Sequence, residues 1–242
     1  MTPKATLRAE TPSVRVVIVT LDNHLAGVVR RAEKALQSEI PGLSLRLHAS
    51  TDWGDNPTAL AACIADIGQA DIIIATMLFM EDQIQAVLPA LEARRDACDA
   101  MICVMSTGEI IKLTKLGPFR MDGSQSGPMA WLKKLRGSKT SSSGAGQMTM
   151  LRRLPKILRY IPGKAQDLRA YFLTMQYWLS GSPENIADMV RFLIGRYADV
   201  TAQSMWGRPI NLYWDVPHLP AVAAMFAAVA TPTIVAAVIA AL

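Results

Sequence analysis

Short unbroken apolar runs alternate along the chain with segments whose apolar residues recur every three or four positions. The first run, VRVVIVT at 14–20, is β-branched and nearly continuous, as in a strand covered on both faces. In NHLAGVVRRAEKALQSEI at 23–40, Leu25, Val28, Val29, Ala32 and Leu36 share one helical face, and Pro41-Gly42 ends the helix. LSLRLHA at 43–49 alternates and predicts a second strand. DNPTALAACIADIG at 55–68 predicts a helix with Asn56 as cap and Pro57 at its first position. ADIIIAT at 70–76 is a third strand. EDQIQAVLPALEARRDAC at 81–98 is a helix with a break or kink expected at Pro89, and AMICVMS at 100–106 is a fourth strand.

Strands alternating with helices imply parallel pairing through right-handed crossovers. The expected fold is therefore α/β: an open doubly wound parallel sheet of about four strands, flavodoxin-like or Rossmann-like, over 14–120. Residues 1–13 read as a disordered leader. An all-helical region follows over 121–199. It includes WLKKLRG near 131–137, a loop rich in serine and glycine at 138–146, DLRAYFLTMQYWL at 167–179 and SPENIADMVRFLIGRY at 182–197. In the last of these Ser182 is the cap and Pro183 the first residue. Ile186, Met189, Val190, Leu193 and Tyr197 form the apolar stripe.

Open α/β sheets bind ligands at the carboxyl ends of their strands. Those ends here are Thr20 to His24, Ser50 to Trp53, Thr76 to Glu81 and Ser106 to Glu109. His24 is the one histidine at such an end and is a candidate site residue. Ser106 and Thr107 precede a helix start, where free backbone N–H groups can hold an anion, or where either hydroxyl simply caps the helix. His48 falls mid-strand and reads as an exposed or a satisfied strand histidine.

Other chemistries are excluded by missing parts. GSKT at 137–140 resembles the tail of a phosphate-binding loop, but Ser138 stands directly before Lys139 where glycine is needed, and the earlier glycine is missing as well. His24, His48 and His218 form no metal-binding pair, and there is no GxSxG elbow. Cys63, Cys98 and Cys103 lack the spacing of a zinc or redox site and fit a reducing cytoplasm. The amino-terminal stretch has no apolar signal core.

Charge changes the picture in one place. The net charge is +5, yet Lys133 to Arg169 holds ten basic residues and a single acid, Asp167. Arg152, Lys156 and Arg159 fall on one helical face, with Leu151, Leu154, Leu158 and Ile161 on another. Such an amphipathic basic segment suits an anionic partner: an acidic protein face, or the carboxylates of an organic acid. Nucleic acid is disfavoured by the modest overall charge and the lack of a recognition module.

Four colinear segments carry a family resemblance: MLFMEDQIQAVLPAL (77–91), CDAMICVMSTGEIIKLTKLGPF (98–119), WLKKLRGSKTSSSGAGQM (131–148) and MLRRLPKILRYIPGKAQDLRAYFLTMQYWLSGSPENIADMVRFLIGRY (150–197). They resemble the large, porphyrin-binding subunit of magnesium chelatase over about 14–199. The large subunit of cobalt chelatase is the nearest confusable family. The resemblance implies a cytoplasmic, ATP-dependent ligase that inserts Mg²⁺ into protoporphyrin IX on the way to chlorophyll and bacteriochlorophyll. It implies two AAA+ partner subunits that hydrolyse the ATP. It carries no catalytic residue onto this sequence, so the chain is expected to be an amino-terminal piece, inactive alone. The basic residues Arg152, Lys156 and Arg159 are expected to meet either an acidic surface or porphyrin propionates. Two other roles stay open: a non-catalytic interaction domain, and a small-ligand domain using the strand ends near His24 and Ser106.

The resemblance stops near Val200. LPAVAAMFAAVATPTIVAAVIAAL at 219–242 is uncharged for 24 residues, long enough for a bilayer. It contains Pro220 and Pro232 and lacks flanking basic anchors. A truncated or frame-shifted product is the expectation, in preference to a membrane anchor.

Overall fold

The computed structural model describes residues 14–54, 56–122, 158 and 163–198. Six strands form one sheet: β1 (Val14–Thr20), β2 (Leu43–Ala49), β3 (Ile72–Thr76), β4 (Ala100–Val104), β5 (Lys115–Leu116) and β6 (Phe119–Arg120). Their order is β2-β1-β3-β4-β5-β6. The first four are parallel, with Val16 opposite both Leu45 and Ile72, and Ile74 opposite Ile102. The short β5 and β6 add an antiparallel margin. The sheet thus extends past the four expected strands. Two-residue strands carry no periodicity to read. A Gly117-Pro118 turn, with Gly117 at φ 53°, closes their hairpin.

Alternation along the parallel strands sorts the core into two layers. Val16, Ile18, Ile72, Ile74, Ile102 and Val104 point to one face, and Val17, Val19, Ile73, Ala75, Met101 and Cys103 to the other. The second face is covered by helices α2 (Pro57–Gln69) and α3 (Glu81–Arg95), through Cys63, Ile67, Ile84, Val87 and Leu91. Each fully buried isoleucine contributes about 1.5–3 kcal/mol relative to exposure. Asn56 caps α2 as expected, its Oδ1 accepting from Ala59 N at 3.1 Å. The break expected at Pro89 is absent: α3 runs unbroken from Glu81 to Arg95. Pro89 is exposed, so the backbone bond it cannot make lies on the solvent side.

The first face is covered by helix α1 (Ala26–Gln37) and, after the short α4 (Gly108–Lys112), by α5 (Lys164–Ser180) and α6 (Pro183–Tyr197). The sequence predicts a helical region following the α/β layers. In the structure α5 and α6 share one apolar layer with the sheet and α1. Helix α5 is buried almost all round, between the sheet margin and α6, which is why its apolar pattern is blurred. Leu158 joins the same layer at 1% exposure, and its carbonyl accepts from Gln166 Nε2 at 2.7 Å.

Polar contacts fix the two late helices. Ser182 caps α6, its Oγ accepting from Asn185 N at 3.2 Å. Gly181, left-handed at φ 61°, turns the chain between them. Arg196 Nη2 and Tyr197 Oη both donate to Asp167 Oδ1, at 2.9 and 3.0 Å, tying the end of α6 to the start of α5. Arg191 grips Glu39, just past the end of α1, through Nε to Oε2 at 2.8 Å and Nη2 to Oε1 at 2.6 Å. Its Nη1 donates to Asp188 at 2.6 Å. Thr114 mends the end of the parallel sheet: its Oγ1 accepts from Cys103 N at 3.1 Å and donates to Cys103 O at 3.3 Å.

Candidate functional site

The carboxyl edge of the sheet gathers three of the sequence-derived candidates, His24, Ser106 and Thr107, after β1 and β4. Strand β3 lies between these two strands, so His24 and the Ser106–Thr107 pair stand about 10 Å apart in strand spacing.

On the β1 side, Asp22 Oδ1 accepts from His24 N at 3.0 Å and pairs with the His24 ring through Nδ1. Partial burial pulls the Asp22 carboxyl up, but the hydrogen bonds and charge of His24 outweigh it and hold it below its ordinary value. Asn23 Nδ2 donates to Asp52 Oδ1 at 3.3 Å, and Ser50 Oγ to Leu21 O at 3.0 Å, so the loops after β1 and β2 are knitted together. Of the two readings for His48 the structure shows the satisfied one, its Nε2 lying 2.7 Å from Asp66 Oδ2 of α2.

On the β4 side the capping expectation fails. Ser106 Oγ accepts from Leu78 N and donates to Val104 O, both at 3.2 Å, so it braces the two loops instead of capping α4. Thr107 occupies the N-cap position of α4 but makes no cap bond. Its Oγ1 is buried without a partner, and so are Thr20 Oγ1 and Thr76 Oγ1 at the last positions of β1 and β3. Three unpartnered hydroxyls therefore lie along the carboxyl ends of the three central strands.

The same edge holds the backbone outliers. Met77 and Met105 have φ of 60° and 49°, the described non-glycine residues in the left-handed region. Such positions cost on the order of 1–3 kcal/mol each and gather at ligand clamps and switches. The two are coupled, Met77 N donating to Met105 O at 3.0 Å. Next to them Phe79 and Met80 stand 38% and 57% exposed. Sequence reasoning names Thr20 and Thr76 only as strand ends. It misses Met77 and Met105, because left-handed backbone is ordinarily signalled by glycine or asparagine.

Burial removes the cysteines from the candidates. Desolvation pushes the thiols of Cys63 and Cys103 up to about 12, so neither is a thiolate nucleophile near neutrality. Among the described residues no three His, Cys, Asp or Glu side chains are grouped to hold a metal ion. No described helix is long and apolar enough to cross a membrane. Arg152, Lys156 and Arg159, the loop at 138–146 and the apolar stretch at 219–242 lie outside the described residues.

A family model described as a domain of unknown function, DUF3479, matches residues 15–172. The match covers β1 through the first half of α5, well over half of the chain. The chain belongs to the DUF3479 family. This DUF3479 chain is 50% identical over 202 residues to a magnesium-chelatase H subunit from Cereibacter sphaeroides, covering 83% of its own length and 17% of that protein. It is 50% identical over 186 residues to the magnesium-chelatase H subunit of Rhodobacter capsulatus, covering 76% and 16%. A chloroplastic magnesium-chelatase ChlH subunit of Oryza sativa subsp. indica is 32% identical over 195 residues, covering 78% and 14%. The chain therefore spans about a sixth of the length of these relatives.

Proposed function

We propose that the chain works as part of the H subunit of a magnesium chelatase, in the insertion of Mg²⁺ into protoporphyrin IX for chlorophyll or bacteriochlorophyll synthesis. The observation that carries this reading is the 50% identity over 202 residues to a bacterial magnesium-chelatase H subunit. Mg²⁺ and the porphyrin are substrates of the assembly. ATP is consumed by two AAA+ partner subunits in the cytoplasm, and this stretch supplies a folded platform with no catalytic group of its own. The basic residues Arg152, Lys156 and Arg159 contribute charge toward an acidic partner surface or toward porphyrin carboxylates.

A chimera tests the reading. Residues 14–198 of this chain replace the matching stretch of the Cereibacter sphaeroides H subunit, and magnesium-porphyrin fluorescence is followed with the partner subunits and ATP present. Retained insertion is expected. A chimera that is soluble and natively helical but inserts no Mg²⁺ overturns the assignment.

A second reading, that this stretch makes contacts within the assembly and none with porphyrin, is favoured by the exposed Ile64, Phe79 and Met80. Changing Phe79 and Met80 to serine in the chimera then weakens retention of the partner subunits while leaving protoporphyrin fluorescence quenching intact.

A further inference from the structure

We propose that the carboxyl edge between β1 and β3 is an oxyanion site, taking a carboxylate or phosphate group on the Thr20 and Thr76 hydroxyls and the first-turn amides of α1. The two threonines are neighbours by register: Val19 pairs with Ala75, and each threonine is the next residue on its strand. Alternation puts both on the face of Ile18 and Ile74, the face that α1 covers. They are 1% and 0% exposed, and each Oγ1 lacks a protein partner.

Unmade hydrogen bonds of this kind are destabilising, and valine would fill the same space without that loss. The rest of both strands is built from valine, isoleucine and alanine with a single arginine, so a hydroxyl at each end is a departure from their pattern. A hydroxyl differs from the methyl it replaces in being able to donate to an acceptor.

Helix α1 supplies the field. It begins six residues after Thr20 and has 12 residues. Leu25, at its N-cap, offers no side-chain cap, and no acidic residue lies in its first turn. Ala26 N donates to Asn23 O at 2.8 Å, which leaves the N–H groups of Gly27 and Val28, and the helix dipole, to an anion. Asp22, the carboxylate closest in sequence, is turned back on the N–H and ring of His24. The position is also where the chain reverses direction across the sheet, with β2 on one side of β1 and β3 on the other, the place where open α/β sheets bind ligands.

The test uses the 242-residue chain, titrated with inorganic phosphate and separately with acetate, at constant ionic strength with chloride as control. The thermal midpoint is read for the wild type, Thr20→Val, Thr76→Val and Thr20→Ser. At least one anion should raise the wild-type midpoint saturably above chloride: phosphate points to a phosphorylated ligand, acetate to an organic acid. Both valine variants should melt higher than wild type without anion and bind it at least about tenfold more weakly, the worth of one charge-assisted hydrogen bond. Thr20→Ser should keep the response. A wild type that responds to neither anion beyond chloride, or valine variants that respond as wild type does, overturns the site. The chimera of the preceding section decides the chelatase reading separately, since it reads Mg²⁺ insertion and not anion binding.

Discussion

Breaking the grip of Arg191 on Glu39 should detach α6 from α1 by a measurable and pH-dependent amount. Arg191 is 24% and Glu39 43% exposed, so solvent screens the pair. Most exposed pairs are worth 0.2–1 kcal/mol, and the two-bond geometry at 2.6 and 2.8 Å puts this one near the top, at about 1 kcal/mol. Glu39→Gln should therefore cost about 1 kcal/mol. Arg191→Met should cost roughly 0.3–0.5 kcal/mol more, since it also strips Asp188 of its partner on the same helix. In a double-mutant cycle the coupling should again be about 1 kcal/mol, or 2–4 °C of melting temperature for a chain of this size.

The pH sign follows from Glu39. The hydrogen bond from Arg191, aided by its charge and opposed by partial burial, holds the Glu39 carboxyl below its ordinary 4.5. A carboxylate with a depressed folded value contributes its full stability above the unfolded value. That contribution is lost as pH falls through the folded one. Urea unfolding at pH 7, and at steps downward from pH 4.5, should show the coupling intact at the first and fading at the others, with half a molar salt reducing it as well. A coupling near zero at pH 7, or one indifferent to both acid and salt, refutes the reasoning.

Two substitutions probe the late helices directly. Tyr171 is fully buried with an unpartnered hydroxyl, its ring edge-on to Phe172 at 5.6 Å, so Tyr171→Phe should stabilise the fold by about 1 kcal/mol in urea unfolding; a loss of similar size would show that the hydroxyl has a partner. Gly181→Ala should destabilise by about 1–2 kcal/mol, because φ is 61° and the new Cβ would sit 3.3 Å from Leu25 Cδ2; an unchanged urea midpoint would contradict this.

The sheet was legible because β1, β3 and β4 are covered on both faces, which makes them unbroken apolar runs bounded by turn residues. The caps at Asn56 and Ser182 were legible because capping chemistry is local. What escaped were features set by distant partners. Thr114 takes the place of a strand for Cys103, eleven residues earlier, and Glu39 meets Arg191 across 152 residues. Neither has a sequence pattern. At the candidate edge, the strand rule points to the neighbourhood of His24 and Thr107. It could not show that Ser106 is spent on Leu78 and Val104 while Thr20 and Thr76 are unspent, because only packing decides which hydroxyl finds a partner.

The order in which the layers close bears on synthesis. The face of Val16, Ile18, Ile72 and Ile74 is finished by α5 and α6, whose last inward residues are Leu193 and Ile194. At a ribosome's 5–20 residues per second, the roughly 90 codons between Val104 and Ile194 take on the order of 5–20 s. Through that interval a nascent chain carries a β-branched surface whose covering helices α5 and α6 are still to come, and chaperone binding belongs there. A stop codon placed after β6 to isolate the sheet would make the exposure permanent, so gene fragments meant to stay monomeric should extend through Ala198.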